Sequence, residues 1–156
     1  MTGTIAARPA TQAAQNTHLL TDITFLRRFI PFQQLDGMVM DMNGPDGTWI
    51  REKLLELAEM IRAMPKTYEQ DGKGREALVY LHYFGGSADF FITERDKLFV
   101  QHQAFGASSY DGGLGLELGY ISLVELCQHP LMELDLHFAP RTLAQVYAER
   151  EALDEE

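Results

Sequence analysis

Apolar residues recur at helical spacing in the first part of the chain and at alternating spacing in the second. Leu19, Ile23, Leu26 and Ile30 lie three or four positions apart, predicting a short amphipathic helix that Thr21 or Asp22 caps and Pro31 stops. The longest stripe is Ile50, Leu54, Leu57, Ala58 and Ile61, one buried face of a helix over about 48–64, with Pro65 at its end. Glu52, Glu56 and Glu59 fall on its wet side. Between these stripes, 33–47 is a Gly/Asp/Asn-containing connection in which Met38, Met40 and Met42 alternate as a short strand would. Residues 66–76 read as a polar loop with turns at Asp71-Gly72 and Lys73-Gly74.

From Ala77 the period becomes 2. Strands over 77–84 and 89–93 flank a Gly85-Gly86-Ser87 turn, and Glu94-Arg95-Asp96 forms the next turn into a strand over 98–105. A glycine-rich stretch at 106–115 precedes a strand at 116–121, within which Gly119 permits a close approach or a bulge. Ser122 and Glu125 have the spacing of a capping box for a short helix at 123–127. A fifth strand at 132–138 and a closing helix at 141–149 complete the pattern. The fold class predicted is α+β: an antiparallel β-meander of about five strands with N-terminal and C-terminal helices packed on one face. Residues 1–18 lack an apolar stripe and read as a disordered arm, 19–148 as one domain, and 149–156 as an acidic tail.

Composition narrows the function. The 156 residues are 46% hydrophobic, enough for a core and against general disorder. Lys and Arg number 13 against 23 Asp and Glu, a formal charge of −10, and 19–148 alone hold 18 acidic and 11 basic residues. Duplex nucleic acid and anionic membranes need clustered basic groups, so direct binding to either is not expected. A protein with a basic surface is the expected partner. The single cysteine, Cys127, excludes an internal disulfide and a multi-cysteine zinc site. No run of 18 apolar residues spans a membrane, and 1–18 lack a secretion signal, so a cytoplasmic protein is expected.

Candidate chemistry is sparse. His82, His102 and His137 each fall in a predicted strand, and with Glu117 they form the alternative metal set of a small metal-dependent hydrolase. Their spacing matches no metal motif, having neither HxH nor HExxH. Ser87, Ser108, Ser109 and Ser122 stand in no nucleophile elbow, and the glycines of 106–119 are not followed by a phosphate-loop lysine. Glu94 and Asp96 read as turn formers. No catalytic residue and no cofactor is expected.

Six segments carry a resemblance: MPKTYEQDGKG (64–74), VYLHYF (79–84), SADFFITERD (87–96), AFG (104–106), ELGYISLVEL (117–126) and DLHFAP (135–140). In this order they resemble a family of small proteins carried by plasmids, phages and integrative elements and known as a domain of unknown function. The resemblance brings no catalytic or binding residue with it. It implies a mobile-element accessory protein that binds a host or element-encoded protein, with a host defence nuclease or CRISPR effector as the candidate target of a nucleic-acid mimic. The contact residues expected are Glu52, Glu56 and Glu59 on the helix face, with Tyr83 and Phe91 from the aromatic strands. A ligand-free oligomerising module using an exposed strand edge is the third reading.

Overall fold

Three helices open the chain, α1 (Gln12–Leu26), α2 (Phe32–Asp41) and α3 (Gly47–Ala63), in a computed structural model that describes residues 11–97 and 103–156. Helix α1 begins seven residues before the boundary expected at Leu19, so 12–18 are helical, while 1–10 lie outside the described residues. The cause is local: the Thr11 side chain accepts from the Ala14 N–H, and Ala and Gln propagate helix without needing an apolar face. The methionines near 40 are helical, not extended. Leu35 and Met38, three apart on α2, are buried, whereas Met40 is 81% exposed. Helix α3 buries the expected stripe of Ile50, Leu54, Leu57, Ala58 and Ile61.

The rest is sheet with two further helices: β1 (Leu78–Val79), β2 (Leu81–Gly85), β3 (Ala88–Glu94), β4 (Gln103–Ser109), β5 (Glu117–Ser122), α4 (Leu123–Gln128), β6 (Glu133–Leu134), β7 (Arg141–Thr142) and α5 (Leu143–Asp154). Five strands form an antiparallel sheet in the order β5-β4-β3-β2-β6, and β1 pairs separately with β7. The α+β class and the five-stranded antiparallel sheet are as predicted. The strand expected over 132–138 contracts to two residues and returns beside β2. Asp135 stops it, its side chain accepting the His137 N–H at 3.0 Å and its carbonyl that of Phe138. The start of the strand expected over 98–105 lies outside the described residues. Its end extends through Ser109, because Gly106 lets β4 approach β3: a Cβ there would sit 2.0 Å from the Phe91 carbonyl oxygen. Gly119 meets nothing within 4 Å, so the close approach expected there belongs to Gly106.

The pleat divides the side chains between two faces. Leu81, Tyr83, Phe90, Ile92, Ala104 and Ile121 pack with α1, α2, α3 and α4 in the main core. On the other face, Phe91 and Ala107 pack with Val79, Leu143 and Val146 in a second, smaller cluster under α5. The C-terminal helix thus covers the face opposite the N-terminal helices, where one-sided packing was expected. The β1–β7 ladder sets this course, and a reciprocal capping box of Thr142 and Gln145 starts α5 as it crosses. Helix α5 also takes up most of the expected acidic tail, and Glu149 pairs back to Arg141 at 2.9 Å. Among the described residues no helix is long and apolar enough to cross a membrane.

Candidate functional site

Under α5, His82 is the centre of a polar chain. Its Nδ1 lies 3.2 Å from Asp135 Oδ2 and its Nε2 2.8 Å from Asp89 Oδ1. Asp89 Oδ2 in turn accepts from Arg150 Nη1 at 3.1 Å, and Arg150 Nη2 donates to the Gly113 carbonyl. The imidazole stacks on Phe91 with centroids 4.5 Å apart and planes 4° apart. Both ring nitrogens are engaged by carboxylates, which leaves neither directed at a metal ion or a substrate. His137 lies elsewhere, exposed with its ring 5.9 Å from Trp49; Glu117 is exposed on β5, and His102 lies outside the described residues. Among the described residues, no group of three or more His, Cys, Asp or Glu is placed to hold a metal. The His82 chain joins α5 to β2 and β3.

The expected contact residues divide. Glu52, Glu56 and Glu59 do lie exposed on α3, with Lys53 Nζ 3.3 Å from Glu56. Tyr83 and Phe91 do not reach the surface. Tyr83 is fully buried in the main core and its hydroxyl donates to the Phe29 carbonyl; Phe91 is covered by α5 and His82. The alternation marked these residues as strand, but the parity that sends Tyr83 to one covered face sends Phe91 to the other.

On the same face as His82, but beyond the edge of α5, the sheet and the loop after α3 enclose a cleft of about 360 Å³. Gln70 builds it. Its side-chain amide donates to the carbonyls of Leu78 and Thr93, both at 2.8 Å, and accepts the Leu78 N–H at 2.7 Å. Its backbone N–H donates to Glu94 Oε1 at 2.8 Å. A register shift between Ile92 and Glu94 brings Glu94 to this wall of the cleft, where it is only 4% exposed. Among the described residues Oε2 has no hydrogen-bond partner and no basic side chain pairs with Glu94.

The mouth is aromatic. Tyr68, held at a positive φ of 78°, places its hydroxyl 2.7 Å from that of Tyr120, and the Tyr120 ring meets Phe105 edge-on at 5.7 Å. The hydrogen bond to Tyr68 lifts the Tyr120 hydroxyl above its ordinary range, with burial and the charges of Tyr68 and Glu94 adding to the shift. Leu118 and Leu143 supply apolar walls.

Sequence reasoning missed this site, having read Glu94 as a turn former and 66–76 as a polar loop. A signal was present: Glu94 ends an otherwise apolar strand run, Phe-Phe-Ile-Thr-Glu. Four of the quoted segments, YEQDG, ITE, AFG and ELGY, also converge on this one cleft. No family model, curated protein or solved structure matches the chain significantly.

Proposed function

We propose that this chain is a non-enzymatic binding protein that engages a host or element-encoded protein with a basic surface through acidic and aromatic groups. The observation that carries the reading is the cleft itself, which pairs a buried carboxylate that no cation among the described residues neutralises with an aromatic mouth open to a partner. A carboxylate oxygen without a partner at the wall of an apolar cleft offers a basic group of another protein a charged hydrogen bond. The net charge of −10 steers such a partner in, and the exposed Glu52, Glu56 and Glu59 of α3 add to the field. In a mobile-element setting, a host defence nuclease or CRISPR effector is the candidate partner, since its nucleic-acid channel is basic.

The test is capture from host lysate on the immobilised full chain, eluted with a salt gradient and repeated with Glu94→Gln and with the triple reversal of Glu52, Glu56 and Glu59 to Lys. Retention that falls with salt and in these variants supports the reading. Retention indifferent to salt and to every substitution overturns it.

A further inference from the structure

We propose that the Glu94 cleft is a receptor for an alkylammonium group, a primary or N-methylated amine carried on an unbranched aliphatic stem. The inference rests on the binding reading above and names the group that fills the cleft.

Three features select this chemistry. The first is charge: Glu94 is the buried carboxylate of the cleft, and no cation of the described chain neutralises it. The second is the number of acceptors. Oε1 already accepts the Gln70 N–H at 2.8 Å, so Oε2 is the oxygen with no partner among the described residues, and a single-point donor suits it better than the paired donors of a guanidinium. An ammonium is a point charge with rotatable donors and needs only Oε2. The third is the surround. The rings of Tyr68 and Phe105 line the cleft with Tyr120 bonded to Tyr68 beside them, and aromatic rings attract an alkylated cation. Leu118 and Leu143 face the stem and supply apolar contact along it. The volume of about 360 Å³ accommodates a lysine-sized side chain and leaves room for methyl groups on the nitrogen.

The same group has two sources, a lysine side chain of a partner protein or a free amine. Isothermal titration of the full chain separates them with four probes: n-pentylamine, N-acetyl-lysine methylamide, its ε-acetylated form and n-pentanol. We expect both amines to bind and the acetylated and hydroxylated probes to bind at least tenfold more weakly. A lysine amide tighter than pentylamine assigns the site to a partner's side chain, and the reverse order assigns it to a free amine. Glu94→Gln keeps a carbonyl acceptor for the Gln70 N–H and removes the charge, and it should weaken amine binding at least tenfold. Leu118→Trp is a second variant at a 57% exposed position, so folding is preserved while the mouth is blocked. It should abolish binding.

Pentanol binding as tightly as pentylamine, or amine affinity unchanged in both variants, would overturn the inference. Absence of any amine binding alongside salt-sensitive lysate capture defeats the inference and leaves the protein-binding reading standing. Amine binding with no protein captured does the opposite.

Discussion

Replacing Tyr83 with Phe tests how the sheet is tied to the helices. Tyr83 is 0% exposed, and its hydroxyl is the donor to the Phe29 carbonyl in the turn between α1 and α2. No other donor to that carbonyl is present among the described residues. The substitution removes one hydroxyl, leaves the ring in place and strands a buried acceptor, which costs about 1–3 kcal/mol. Taking about 2 kcal/mol, Tm should drop by about 4–8 °C for a chain of this size. Urea unfolding should show a lower midpoint at unchanged m, since the surface exposed is the same. A second arm uses pH. Burial holds the Tyr83 phenol well above its ordinary range, with Cys127 adding to the shift. In the unfolded chain a tyrosine ionises near pH ~10, so above that pH the unfolded state sheds a proton that the folded state keeps. The stability contributed by the neutral phenol is complete below pH ~10 and falls by about 1.4 kcal/mol per unit above it. The gap between wild type and Tyr83→Phe should therefore narrow in alkali. A midpoint shift under about 0.5 kcal/mol at neutral pH, or a gap that widens in alkali, refutes the argument.

Gly106→Ala should abolish cooperative unfolding or cost more than about 4 kcal/mol by circular dichroism melts, because its Cβ would meet backbone atoms of both Phe91 and Ile92. Gly119→Ala is the matched control, with open space at the Cβ position and an expected change within about 0.5 kcal/mol. Burial pushes the Cys127 thiol up to about 12, so a thiol reagent at pH 8 should label it only as fast as the protein opens, and an immediate stoichiometric reaction would contradict its placement. Reversing Glu52, Glu56 and Glu59 to Lys should leave Tm nearly unchanged, because all three are exposed, while slowing association with a basic partner more than it speeds dissociation in a surface-binding assay.

Parts of the fold were legible because they depend on periodicity alone. The α3 stripe and the alternation of Leu81, His82, Tyr83 and Phe84 each read directly from the chain. The Ser122 cap of α4 was legible too, its side chain accepting from the Glu125 N–H. The start of α1 was not, because Ala13 and Ala14 favour helix through backbone propensity and bury nothing that a pattern could register. Nor was the face chosen by α5, since alternation separates two faces without saying which one a later helix covers. The cleft lay deepest of all. Gln70 and Glu94 are 24 residues apart, and their contact depends on the register shift after Ile92, a feature of strand pairing.

One sheet face is therefore divided into a covered and an open part, and the line between them is the edge of α5. His82, Phe91 and Ala107 point the same way as Leu118 and Tyr120, yet the first group is covered and the last two are each 57% exposed. The helix is held over its half at both ends. Near its start, the β1–β7 pair and the Leu143 N–H to the Ala77 carbonyl fix it; further along, Arg150 reaches Asp89 and the Gly113 carbonyl. Leu143, at the first of these anchors, also forms part of the cleft wall. The His82 chain thus bears on the surroundings of the cleft without lining it. By keeping Asp89 oriented toward Arg150 it helps hold α5 in place, and α5 in turn marks where the apolar face stops being covered and supplies Leu143 to the cleft wall.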